Sequence, residues 1–251
     1  MRTRCPALLR YAVVTMLAAT LLTAVPALAG CASGTSGTSG TGGPAASPAL
    51  PAGLVALWPF TAPDQVLTWQ ATYRSAGEQP WHLDVGRTAI AFAHDHLGYA
   101  DVDRVTTRRV NGADARIGVG AAGEDGRDHT IGVLHLVRFG AEPDAPWVVV
   151  GSEDSYLTLT SPRYGATVGS PLIVGGRIAG VDESLRVVVL GPTSAASLGT
   201  VEGLPAGGQN TPWTTTVRFA APSGTVLTVA VSTGGHLMTV ERFAITAVRV
   251  A

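Results

Sequence analysis

Hydrophobic and polar positions follow two different periods in the two halves of the chain beyond residue 53. In residues 54–152 the segment Leu57-Trp58-Pro59-Phe60 leads into Thr61-Ala62-Pro63-Asp64, a polar cap with an early proline, and predicts a first helix over Val66 to Ser75. A second helix is expected from Asp84, as N-cap, to Gly98 in the left-handed position that ends helices. At about 100° per residue, Ala89, Ile90, Phe92, Ala93 and Leu97 share one face, which requires a sheet to cover it. Four stretches supply that sheet: Asp103 to Val110, Ala115 to Ala121, Thr130 to Phe139 and Trp147 to Gly151. Turn chemistry at Asn111-Gly112, Glu124-Asp125-Gly126 and Gly140 to Pro146 separates them at hairpin spacing. Helices followed by antiparallel strands indicate an α+β domain.

Residues 153–251 change to strand periodicity throughout. The runs Tyr156 to Thr160, Leu172 to Ile178, Leu185 to Leu190, Thr200 to Leu204, Thr214 to Phe219, Val226 to Val231 and Phe243 to Val250 predict short strands of an all-β sandwich. Thr214, Thr216 and Arg218 interleave with Thr215, Val217 and Phe219, so one face there is wetter than the other.

Two resemblances follow from these patterns. The element order of 54–152 resembles the cone-shaped cystatin-like and nuclear-transport-factor-like modules of bacterial envelope proteins. The run from Ser161-Pro162 through Gly165, Ser170-Pro171 and Val174-Gly175-Gly176-Arg177-Ile178-Ala179-Gly180 resembles the opening of the immunoglobulin-like domain of bacterial spore germination proteins. Pro212-Trp213 and Phe219 fit the same family over roughly 95 residues, which implies an immunoglobulin-like accessory module of secreted and lipidated proteins. The chain departs from that pattern at Val181-Asp182 and Gly234-Gly235-His236, departures that bear on a ligand surface more than on the fold.

The N-terminus carries an address. Arg2, Arg4 and Arg10 precede an apolar stretch from Tyr11 to Val25, an export signal. Thr15, Thr20, Thr23 and Pro26 leave that stretch short of the roughly 20 apolar residues of a permanent span. Leu28-Ala29-Gly30-Cys31 resembles the lipobox of bacterial lipoproteins. The resemblance implies removal of residues 1–30, diacylglyceryl transfer to the Cys31 sulfur and residence on the outer face of the cell membrane. The other reading is an ordinary signal cut after Ala29, releasing a soluble protein with a free thiol. Two acyl chains give lasting anchorage where one gives only marginal binding. Residues 31–53 are nearly all Gly, Ser, Thr, Ala and Pro and are expected to form a linker with a root-mean-square reach of roughly 25 Å.

Loss of the signal takes the formal charge from −1 to −4, a mild acidity with no polybasic stripe for nucleic acid. Cys5 would leave with the signal, so no disulfide is available to the mature chain, and stability must come from a hydrophobic core. No cofactor is expected beyond the acyl group on Cys31.

Candidate chemistry is sparse. His94-Asp95-His96 invites a metal, but on a helix the two histidines lie about 200° apart, and His96 belongs to the apolar stripe. Glu124-Asp125-Gly126-Arg127-Asp128 lacks the spaced acids of a calcium loop. Nucleophile elbows, zinc-protease motifs, phosphate loops and dinucleotide fingerprints are all missing from the sequence, so an enzyme is not expected. Trp58, Trp69, Trp81 and Trp147 concentrate in 54–152 and are expected first as core. If instead they line a pocket, Arg104, Arg108, Arg109 or Arg138 would stand at its mouth and a lipid or glycan would enter. The expectation is therefore a non-enzymatic envelope lipoprotein whose immunoglobulin-like domain contacts an envelope protein or cell-wall polymer. The alternative is an extracytoplasmic lipid- or glycan-binding carrier.

Overall fold

Both helices begin and end on local signals. A computed structural model describes residues 47–251 except 124–125, 194 and 235–238, and leaves aside the side chains of 181–183. Leu28, Ala29, Gly30 and Cys31 lie outside the described residues, as do most of the expected linker and the Glu124-Asp125 turn. Helix α1 (Pro63–Ala76) starts on a proline, and the Gln65 side chain accepts the Thr61 and Ala62 N–H groups at 2.7 and 3.3 Å. It stops at Gly77, whose φ of 68° suits a residue without Cβ. Helix α2 (Val85–Ala91) is capped by Asp84, whose Oδ1 accepts from the Gly86 and Arg87 N–H groups at 2.8 and 2.9 Å. It widens into a π-helical turn over Phe92–His96 and ends before Gly98, at φ 77°.

The first sheet is an antiparallel meander in sequence order: β1 (Arg104–Asn111), β2 (Asp114–Ala122), β3 (Asp128–Arg138) and β4 (Trp147–Glu153). Gly112, at φ 58°, closes the β1–β2 hairpin opposite the Asn111–Asp114 pair. Residues Leu57 and Trp58 add a short bridge to the free side of β4 through Val149.

The second sheet contains β5 (Leu157–Ser161), β6 (Ala166–Val168), β7 (Leu172–Leu190), β8 (Ser197–Val217), β9 (Val226–Gly234) and β10 (Arg242–Val250). Its order is β5-β7-β9-β10-β6, with β8 paired to β7. Where short strands were expected over 172–178 and 185–190, one long strand runs through. The segments 200–204 and 214–219 likewise belong largely to β8, and β6 is additional. Irregular register near Gly180 and Glu183 lets β7 bend without ending. Pro205 and Pro212 are tolerated because β8 has β7 as its strand neighbour and an open second side. The first half of β7 pairs with β5 and the second half with β9, so one strand serves both layers of the sandwich.

Alternation assigns every face. Leu185, Val187 and Val189 join Leu227, Val229, Val231, Trp213 and Val217 inside the sandwich. Their neighbours Val188, Leu190, Ala230, Phe243 and Ile245 point the other way, into a core that also holds Phe92 and Ala93 of the α2 region and Ile117 and Leu134 of the first sheet. Residues 47–251 thus lie within one compact unit, and the change of sheet near 152/153 occurs inside a shared core. A third cluster covers Val148 and Val150 of β4 with Ala56, Val66 and Phe60.

Phe243 ties the layers together. A Cβ on Gly132 would lie 2.5 Å from its ring, Tyr99 packs at 5.3 Å, and Ile245 donates its N–H to Ser152 Oγ at 2.8 Å. The folded body also starts earlier than the expected linker end at residue 53, since Pro48 is buried and Leu50 packs on the third cluster.

Candidate functional site

The expected tryptophans do meet, but as a stack. Trp58, carried by the edge segment beside β4, stacks on Trp81 at 5.6 Å and 27° and lies about 6 Å from both Phe92 and His96. Trp69 of α1 stacks on Tyr73 at 5.3 Å and meets His82 edge-on at 5.3 Å. Phe60 and Trp81 close on the same His82 at 4.8 and 3.7 Å. His82 therefore joins the α1 aromatics to the Trp58 group. The faces of Trp58 and Trp81 are spent on each other and on their neighbours, which accounts for these rings as packing.

Both histidines of the cluster are 3% exposed. His82 Nδ1, His96 Nε2 and Trp69 Nε1 are buried without a hydrogen-bond partner. Burial pushes each of the two imidazoles down to about 4, so they are neutral at ordinary pH. His94 instead faces solvent and bonds Asp95 Oδ1 at 2.7 Å. Among the described residues, no group of three or more His, Cys, Asp or Glu is placed to hold a metal ion.

The arginines disperse. Arg104 bridges Asp103 and Asp128 at 2.8 and 2.9 Å, and its hydrogen bond to Asp103 holds that carboxyl below the usual range. Arg108 approaches the α2 cap Asp84 at 3.7 Å, whereas Arg109 is exposed on β1 opposite Arg116. Arg138 lies elsewhere: its Nη1 donates to the Ala145 carbonyl at 2.5 Å and its guanidinium covers the Trp147 ring at 4.8 Å. Partial burial holds its pKa below the usual arginine value. Among the described residues it has no carboxylate partner.

Arg138 lines a groove of about 500 Å³ with Pro48, Leu50, Leu67, Gln70 and Arg74. Leu67, Gln70 and Arg74 recur at i, i+3 and i+7, so α1 turns one stripe into the groove wall. Asp144 clamps that wall. Its carboxylate accepts from Arg74 at 2.6 and 2.8 Å and from Gln70 at 3.0 Å, and the Arg74 bonds hold it below the usual carboxylate range. Leu67 remains 48% exposed at the rim. A separate groove, also of about 500 Å³, runs along Phe60, Gln65 and Trp69 to Glu78 and Gln79. Tryptophan content points to aromatic packing and gives no sign of the Leu67–Arg138 groove, because that groove needs α1 and the 140–146 loop in register across 70 residues.

Comparison of the chain with known protein families, with curated proteins and with solved structures produced no match. Among the described residues, no helix is long and apolar enough to cross a membrane.

Proposed function

We propose that the chain is a non-enzymatic cell-envelope lipoprotein, held on the outer face of the membrane by diacylglycerol on Cys31. Its immunoglobulin-like sandwich then contacts an envelope protein or cell-wall polymer. The observation that carries this reading is Leu28-Ala29-Gly30-Cys31 behind a short apolar segment, with a Gly/Ser/Thr-rich sequence between it and the compact body described from Ser47 onward. Such an order anchors a body at one end and presents the rest. The open side of β8 is the kind of strand edge that accepts an added strand from a partner.

A second reading, an extracytoplasmic lipid- or glycan-binding carrier, draws on the groove of Leu50, Leu67 and Arg138 and moves the binding site away from Trp58 and Trp81.

Intact-protein mass spectrometry of membrane fractions tests the anchor. A mature mass starting at Cys31 plus diacylglycerol, lost in Cys31→Ala, is expected. An unmodified chain starting at Gly30 in the medium would overturn the lipoprotein reading and leave the diffusible carrier.

A further inference from the structure

The Leu67–Arg138 groove has a chemistry of its own. One wall is aliphatic, from Pro48, Leu50 and the half-exposed Leu67, and the half-buried Arg138 also lines the groove. Burying a cation is unfavourable unless an opposite charge meets it. Asp144 is already committed to Arg74 and Gln70, and Glu142, which also lines the groove, is exposed to solvent. The groove is thus built for an amphipathic ligand with an anionic head, and a neutral sugar would leave its aliphatic wall and its cation unused.

Position identifies the source. Ser47 to Pro51, the first described residues, themselves line the groove. About 15 residues separate them from Cys31, a length whose coil reach is roughly 20 Å. We propose that this groove docks an acidic phospholipid of the membrane that carries the anchor, with the acyl region against Leu50 and Leu67 and the headgroup phosphate on Arg138. The proposal rests on the anchored reading above. It adds a second membrane contact that would set which side of the body faces the lipid, since a single attachment point leaves orientation free. Net acidity of the chain does not oppose it, because the interaction is local to one arginine within a Debye length of the bilayer.

Full-length protein purified from membranes and reconstituted in nanodiscs tests the proposal. Amide exchange over 47–51, 64–74 and 138–142 is compared between phosphatidylcholine discs and discs containing phosphatidylglycerol. Exchange there is expected to slow roughly fivefold in the anionic discs, the weight of one arginine at an anionic surface. Arg138→Gln should remove the effect. Leu67→Gln, at a half-exposed position that tolerates a polar side chain, should weaken it and serves if Arg138→Gln does not fold. Equal exchange in the two disc types, or undiminished protection in the folded variants, would overturn the groove. So would protection produced by inorganic phosphate at phosphatidylcholine discs, which would make the ligand a free anion. The intact mass of the same sample separates the two proposals: diacylglycerol on Cys31 without protection sinks the groove alone, and a chain lacking diacylglycerol sinks the anchor and the groove with it.

Discussion

Acidification from pH 7 to pH 5 should destabilise this protein by an amount set largely by His82 and His96. Each ring is 3% exposed and stacked among aromatics, and each has one nitrogen with no acceptor nearby. A proton added there creates a buried N–H donor and a buried charge, neither of them compensated. The folded value is about 4 for each, against about 6.5 for an unfolded histidine. Because the folded pKa is depressed, the unfolded chain takes up protons first as pH falls below about 6.5. Stability is therefore lost between about pH 6.5 and 4, and the loss levels off below. Linkage over the interval from pH 7 to 5 gives about 1.8 kcal/mol per ring, or roughly 3 to 4 kcal/mol for the pair. That is a large share of the ~5 to 15 kcal/mol typical of a folded domain. Carboxylates confuse this window little. Asp103 and Asp144 are held low by Arg104 and Arg74, and their contribution is lost only as pH falls from the unfolded carboxylate value downward. Urea denaturation at the two pH values is the assay, and with a slope of about 2 kcal/mol/M the midpoint should fall by roughly 1.5 to 2 M. His82→Phe and His96→Phe retain an aromatic ring and should each remove about half of the pH dependence, whatever they do to stability at pH 7. A double variant that loses as much stability on acidification as the wild type would show that His82 and His96 do not set the acid sensitivity.

Two further expectations concern packing and capping. Gly132→Ala places a methyl 2.5 Å from the fully buried Phe243 ring, against which Tyr99 also packs. It should cost about 1 to 3 kcal/mol in urea titrations, and an unchanged midpoint would show that the sheets do not meet there as described. Asp84→Ala removes the acceptor for the Gly86 and Arg87 N–H groups, while Asp84→Asn keeps an oxygen in place. Alanine should cost about 1 kcal/mol and asparagine much less; equal losses would mean that the charge near Arg108, and not the cap, is what matters.

The comparison of sequence with structure divides along the range of the forces involved. Asp84 and Gly98 bracket the second helical segment as their capping preferences require, because an N-cap and a left-handed stop act within one turn of chain. The four strands of the first sheet and the Asn111-Gly112 turn are equally legible, since a period of two and an Asn-Gly turn are local properties. The proposed address at Leu28 to Cys31 rests on sequence alone. Tertiary structure decided three other things. Leu172–Leu190 became one strand because two different partners, β5 and β9, each hydrogen-bond one half of it across the irregularity near Gly180. The β7, β9 and β10 layer is apolar on both faces because each face meets a separate body of side chains, so the two halves of the chain share a core that alternation alone assigns to neither. Trp58 stacked on Trp81 and Trp69 on Tyr73, with His82 between the two groups, and Arg138 came to line a groove with Leu67 where α1 and the 140–146 loop close on each other through Asp144. Composition determines how much aromatic and aliphatic surface must be covered; only long-range packing selects which side chains cover it and which are left open to a ligand.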